Sequence, residues 1–356
     1  MQPRQKVVLI GAGDLAVRIA AGLQLSSYDI DIDLVSRSPH VYSKACLLNS
    51  SAIGANFARV AAYQVDVLDS GQLESYIEHA GGDIYINCAS LLSPWAYLST
   101  PSPTAKKLGS LAFAAQLCAQ LPAAFRIADS LRRLGAESKY INCSFPDSVN
   151  VILAKNDLAP LCGLGNAGML HRFLQVHNPR AEIRVVAHHA VVQALLCGDY
   201  SNEALCYVEF NGEPRSWSDL VVGTAPLERN ILLNQLTAAH AVDVVIALLD
   251  SSRSLSTSLP SPSGLAGGYP CRIEEGRLIS ESCQYLSHEQ AITLNKQAAK
   301  LDGIEHIDEC GMVHLTSELK NNLPESLRFM EAPLNVENAL DQFGRLNRLL
   351  SNANKV

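Results

Sequence analysis

Long apolar runs, basic excess and paired cysteines are all missing from this 356-residue chain. No stretch reaches the roughly 18 unbroken apolar residues of a membrane span, and the most apolar one, Leu236–Leu249, is broken by His240 and Asp243. With 28 Lys and Arg against 35 Asp and Glu, the net charge is −7. That balance argues against nucleic acid or an anionic membrane as partner, since both select a basic face. The ten cysteines are scattered from Cys46 to Cys310 with no C-x-x-C and no zinc-like spacing. Lys6 opens an apolar run, Val7–Ile10, that stops at glycine, too short and wrongly flanked for a signal peptide. The expectation is therefore a cytoplasmic protein whose thiols are reduced and mostly in the core. What is present is ample apolar residue (48%) with modest charge (18%), enough for a sizeable core and about two domains.

The first half alternates short β-like runs with helical patterns, the signature of βαβ units and a parallel sheet. Strands are expected at Val7–Ile10, Ile32–Val35, Val60–Val65, Ile84–Cys88 and Tyr140–Cys143. The helix Leu15–Leu25 carries an apolar stripe, and a long helix over Gly109–Leu134 should kink or restart at Pro122. Ser90–Lys107, rich in Ser and Pro and holding Trp95 and Tyr97, is either an active-site lid or an ordinary surface connection. The second half reads as α+β: an apolar run Ile183–Gln193 holding His188 and His189, and strands Leu205–Phe210 and Trp217–Val222 about an Asn211-Gly212 turn. Then come a helix Glu228–Asp250, a Ser/Pro/Gly linker Ser252–Gly268, a helix Ser287–Leu301 with Gln290 completing a capping box, and a helix Val336–Leu350. The fold class is α/β: a dinucleotide-binding Rossmann domain over 1–153, a doubly wound parallel sheet, then an α+β substrate and dimerisation domain over 154–356.

The strongest motif is Gly11-Ala12-Gly13-Asp14-Leu15-Ala16, a G-x-G-x-x-A that follows a strand and opens a helix. The first glycine permits the tight turn, the second admits a pyrophosphate to the backbone, and the small third residue lets helix and strand pack closely. Phosphates would then rest on the free N–H groups of the helix N-terminus. At the end of the second strand, where an acid would bind a ribose diol, stands Ser36-Arg37-Ser38. A guanidinium flanked by hydroxyls matches a phosphate dianion, so NADP is preferred over NAD; the plain alternative is a solvated loop arginine. Asp66 and Val67 after the third strand, Cys88, Ala89 and Ser90 after the fourth, and Ser144 after the fifth are expected beside the cofactor by topology.

Further motifs follow in order: Asn142-Cys143-Ser144-Phe145-Pro146-Asp147, then Gly163-Leu164-Gly165-Asn166 with Arg172, then Val185-Val186-Ala187-His188-His189, and late Gly267-Gly268-Tyr269-Pro270 before Leu286-Ser287-His288-Glu289. This series resembles the lactate/malate dehydrogenase superfamily over nearly the whole chain. The resemblance implies His189 as proton donor to a carbonyl, Arg172 as clamp for a substrate carboxylate, and a homodimer through the helices Leu15–Leu25 and Glu228–Asp250. It also departs from that pattern. The histidine-orienting aspartate falls on Met169, the loop arginine has no counterpart between Ser90 and Thr104, and the loop asparagine falls on Phe145 unless Asn142 replaces it. Val65–Asp69 with Ile86–Ala89 is also similar to saccharopine dehydrogenase-type Rossmann domains, which act on imines.

Two adjacent histidines on a strand point to opposite faces, so His188 would pack while His189 faces the cleft; a buried core histidine is the plain alternative. Gly163–Gly168 also fits G-x-G-x-x-G, but without a new βαβ unit it reads as a tight turn. Metal binding is not expected, because no carboxylate or cysteine lies at ligand spacing from the histidines. The leading reading is an NAD(P)H-dependent oxidoreductase acting on a C=O or C=N bond of a small carboxylate-bearing molecule. A standard 2-keto-acid reductase is not expected; a larger, more apolar and biosynthetic substrate suits the Trp95 and Tyr97 loop. The alternative is a non-catalytic dinucleotide-binding protein or partner subunit.

Overall fold

Six parallel strands form the first sheet: β1 (Gln5–Ile10), β2 (Ile30–Ser36), β3 (Val60–Gln64), β4 (Ile84–Asn87), β5 (Lys139–Asn142) and β6 (Cys162–Gly163). The computed structural model describes residues 4–26, 28–52, 58–95 and 103–352. The strand order β3-β2-β1-β4-β5-β6 is that of a doubly wound nucleotide-binding sheet, with its switch point between β1 and β4. Val7–Ile10 is buried on both faces because helices cover both sides, which is why it reads as an unbroken apolar run.

The second sheet is antiparallel, ordered β10 (Ser254–Pro260), β11 (Gly268–Glu274), β7 (Ile183–Ala187), β8 (Cys206–Phe210), β9 (Glu213–Arg215), with β12 (Arg277–Ser280) also on β11. Strand β10 overturns the expected Ser/Pro/Gly linker. Its hydroxyls are buried but partnered: Ser258 Oγ accepts from the Val185 N–H at 3.0 Å, and Thr257 Oγ1 meets His240 Nε2 at 2.8 Å. The Asn211-Gly212 turn forms with positive φ at both residues, but the returning strand is only Glu213–Arg215. Trp217–Leu220 is a helical turn rather than a strand, because it lets Trp217 bury its ring and donate Nε1–H to the Leu195 carbonyl at 3.1 Å. The histidine pair does not lie on a strand either. β7 ends at Ala187; His188 is the N-cap and His189 the first residue of the helix His189–Leu196.

Pro122 does not restart its helix. Leu117–Arg133 runs through it, and the interruption lies upstream in a 3-10 turn, Phe113–Gln116. The helix Asn234–Leu249, extended by the 3-10 turn Ile231–Leu233, is by length and composition long enough to cross a membrane. Yet 56% of that window is buried inside the molecule. It packs so closely on the helix Asp14–Leu25 that a side chain at Gly22 would meet Val242 Cγ2 at 2.7 Å. The helix His288–Ala299 carries the Ser287/Gln290 capping box as expected.

The two largest of the four apolar cores among the described residues draw on both halves of the chain. Val8, Tyr85, Leu121 and Ile127 pack with Ile304, Val313, Leu327 and Leu346. Val7, Leu9, Ile19 and Leu23 pack with Ala241, Val244, Leu259 and Cys271. The 153/154 boundary falls at the end of the helix Pro146–Ala154, ahead of the sixth strand of the first sheet. This return of the late segment onto the first sheet is what delivers residues near position 300 to the cleft.

Candidate active site

A cavity of about 560 Å³ opens at the carboxyl ends of the parallel strands, across the switch point. Its floor is the glycine loop. Gly11 has φ +106°, donates its N–H to the Val35 carbonyl at 2.7 Å, and lies so near the end of β4 that a Cβ would meet Cys88 C and Ala89 N at 2.7 Å. A Cβ at Gly13 would meet nothing, so that glycine leaves its backbone open to the cavity. Ala16 is fully buried beneath the loop, as the small third residue of the motif requires. Gly13, Asp14 and Leu15 line the cavity. Burial works against the Asp14 carboxylate, but hydrogen bonds from Arg18 (2.8 Å) and Asn234 (2.9 Å) prevail and hold its pKa low.

One end of the cavity is positive. Ser36, Arg37 and Ser38 line it, together with His40 and Lys44 of the helix His40–Ser51, which the sequence reading missed. Lys44 Nζ donates to the Ala12 carbonyl, tying that helix to the glycine loop. Asp66 and Val67 complete this end, and Cys88, Ala89, Ser90 and Ser144 continue along the wall. The residues therefore fit an extended dinucleotide: an anion cradle at a helix N-terminus, a cationic end, and a volume within the roughly 300–1,000 Å³ usual for such sites.

At the other end stands His189, with 19% of its side chain accessible. Its ring packs against Phe113 and Phe145, with centroids 4.7 and 5.0 Å away, and those two rings touch each other at 4.6 Å. Its backbone N–H donates to Asp147 Oδ1 at 3.0 Å, and its Nδ1 sits 2.8 Å from Asp302 Oδ2. Asp302 is the orienting acid that Met169 fails to provide. Burial alone would neutralise both groups. Mutual attraction outweighs it, raising the His189 pKa above the usual imidazole value and holding the Asp302 carboxyl well below the usual carboxylate range. The Asp302 carbonyl accepts from the Ala114 N–H at 2.8 Å, so one residue fixes both the imidazole and the turn that carries Phe113. Phe145 (φ +44°), in left-handed backbone, and Asn166, also at positive φ (+47°), line the same end, strain of the kind that clusters at functional sites.

Three expected catalytic residues lie outside the lining. Arg172 is ion-paired with Asp243 of the helix Asn234–Leu249, which takes the guanidinium that was expected to clamp a substrate. Asn142 is wholly buried: its Nδ2 donates to Asn150 Oδ1 (2.8 Å) and the Ser144 carbonyl (3.1 Å), and its Oδ1 accepts from Asn87 Nδ2 (2.9 Å). It shapes the ends of β4 and β5 and does not face the cleft. His188 is also buried, its Nδ1 accepting from the Ala190 N–H and lying 3.3 Å from Asp302 Oδ2. Gly163 and Gly168 serve close packing, since side chains at them would strike Pro146 and the His240 ring, while Leu164 and Asn166 between them line the cavity. Trp95 lines the cavity, whereas Tyr97 lies outside the described residues. Cys88 and Cys143 stand with sulfurs 3.9 Å apart on the wall as free thiols. Among the described residues no group of three or more His, Cys, Asp or Glu could hold a metal ion.

No protein-family model and no curated protein matches the chain. Solved structures do. The malate dehydrogenase from Aeropyrum pernix superposes with TM-score 0.56 at 16% identity, covering 90% of this chain and 99% of its own. Malate dehydrogenase from Cryptosporidium parvum gives 0.55 at 16%, covering 84% and 96%. The lactate dehydrogenase of the same organism, complexed with lactic acid and nicotinamide adenine dinucleotide, gives 0.54 at 15%, covering 85% and 98%. At such identities the likeness is one of architecture: this chain has the fold of the lactate and malate dehydrogenases.

Proposed function

We propose that the protein is an NAD(P)H-dependent oxidoreductase that reduces a C=O or C=N bond, with His189 as proton donor. The carrying observation is that His189, oriented by Asp302, opens into the same cavity as the glycine loop. A bound nicotinamide dinucleotide would supply the hydride. The chain's part is to hold the acceptor carbon against the wall that Phe113 and Phe145 form beside the strand ends, and to deliver a proton from His189 Nε2 to the substrate heteroatom. Nδ1 is engaged by Asp302, so Nε2 is the atom left to donate.

Screening aldehydes, ketones and imines for NADPH oxidation tests this. His189→Ala is expected to lower turnover about 10²–10⁴-fold while leaving NADPH affinity within a few-fold. NADPH binding without turnover on any acceptor would favour the binding-protein reading.

NADPH is the preferred cofactor in this reading. Ser36, Arg37, Ser38 and Lys44 offer a phosphate the charge and hydroxyls that NADH would leave unused. Calorimetry should find NADPH bound more tightly than NADH, and Arg37→Ala should shrink the gap by about 1–3 kcal/mol. Equal affinities in the parent would count against it.

A homodimer belongs to the same reading. The helices Asp14–Leu25 and Asn234–Leu249 cover one another, yet Leu25, Ile231 and Leu232 remain exposed around them. Light scattering should give twice the 38.4 kDa chain mass. A monomer at micromolar concentration would oppose it.

A further inference from the structure

We infer that the substrate is an uncharged ketone, aldehyde or imine on an aromatic or bulky apolar body, with no carboxylate on the carbon that accepts hydride. This rests on the reductase reading and names its substrate class. Charge along the cavity carries the argument. Among the described lining residues, the lysine and arginine, Lys44 and Arg37, stand with His40 at the end that follows β2. Around His189 the wall is Trp95, Phe113, Phe145, Met169 and Val192.

The polar groups at this end are amides and hydroxyls, and most are committed. Gln120 Oε1 accepts from Ser144 Oγ at 2.7 Å, and the Asn166 amide donates to Asp147. Gln193 lines the cavity and has no side-chain hydrogen bond within the described residues, which leaves it free to contact a neutral oxygen or nitrogen.

Among the described lining residues at this end, a substrate carboxylate would find no Lys or Arg as counter-ion. Arg172 is spent on Asp243. Two acids, Asp302 and Asp147, hydrogen-bond to the one residue His189, so the site holds no surplus of positive charge. Residues 96–102, Ala-Tyr-Leu-Ser-Thr-Pro-Ser, lie outside the described residues and contain no Lys or Arg. A carboxylate enclosed without a partner loses hydration that nothing replaces, whereas a phenyl or alkyl group gains by the same transfer. Arg229 is an exposed cation that acts on His189 electrostatically from outside the lining.

The test uses two probes that differ at one group, phenylacetone and phenylpyruvate. Each is assayed for NADPH oxidation and titrated calorimetrically into the full chain loaded with the oxidised cofactor NADP, which has no hydride to transfer. Phenylacetone should be reduced with at least 10-fold higher kcat/KM and bound at least 10-fold more tightly, and Gln193→Arg should reverse the order. Arg172→Ala should leave the order unchanged. Preference for phenylpyruvate in the parent overturns the inference while the reductase reading stands, and loss of that preference in Arg229→Ala would identify the clamp. If the chain binds NADPH but neither probe is bound or reduced, the inference fails, and the wider screen of aldehydes, ketones and imines decides whether the reductase reading fails with it.

Discussion

Replacing Asp302 by asparagine should cut turnover about 10²–10⁴-fold, the scale of a positioned general acid, without weakening NADPH binding. The side chain keeps its size, so the loss reports on charge and tautomer. In the parent the carboxylate 2.8 Å from Nδ1 stabilises the imidazolium, which can release its Nε2 proton to a developing alkoxide or amide anion. An asparagine amide donates to Nδ1 instead and leaves a neutral ring, a far weaker acid. The pH profile separates this from a structural effect. Reduction needs the protonated ring, so the rate falls as pH rises through the His189 pKa, which Asp302 now holds above the usual imidazole value. In Asp302→Asn that fall moves to lower pH. Asp302→Glu, which restores the charge, should move it back. A lower rate with the pH profile in place would mean that Asp302 only props up the fold.

Asp302 also marks where sequence stops being informative. The glycine loop was legible because a tight turn, an open backbone and a close helix packing each demand a small residue at a fixed spacing, and Gly11, Gly13 and Ala16 meet those demands. The parallel sheet was legible from strands alternating with helical patterns, since a parallel strand covered on both faces reads as a plain apolar run. Asp302 offers no such signal. Leu301-Asp302-Gly303 has the composition of a surface turn, and its partner is 113 residues away. It reaches the cleft because the late hairpin β13 (Ile304–Ile307) and β14 (Val313–Leu315) packs into the core of the first sheet. Arg172 fails for the converse reason. Its spacing in the motif was right, but whether a guanidinium faces a cleft or a carboxylate is decided by Asp243 on another helix. Ser254–Pro260 misled by composition alone, because buried hydroxyls with partners look like a linker when the partners are unseen.

Acidification should destabilise the protein through two histidines that no catalytic step uses. His171 and His240 are buried beside β10, the first near Ser258 Oγ at 3.3 Å and the second on Thr257 Oγ1 at 2.8 Å. Burial pushes His171 down to about 4 and His240 to about 3, the latter helped by the positive charges of His171 and Arg172. Both folded values lie below the ordinary 6.5, so the unfolded chain binds protons that the folded chain refuses. Stability is therefore complete above about pH 6.5 and is lost as pH falls toward the folded values. At pH 4.5 the loss is roughly 2–3 kcal/mol per histidine, together a large share of the about 5–15 kcal/mol that holds a domain folded. Carboxylates such as Asp302, held low in the folded state, add acid sensitivity of their own. A comparison of variants removes that contribution, because it is common to both proteins. His240→Gln keeps a polar group for Thr257 and cannot be protonated. Urea unfolding at pH 7 and pH 4.5 should show the variant losing about 2–3 kcal/mol less than the parent over that interval. Equal losses in the two proteins would show that His240 is accommodated in its charged form, and the cause of acid sensitivity would lie elsewhere.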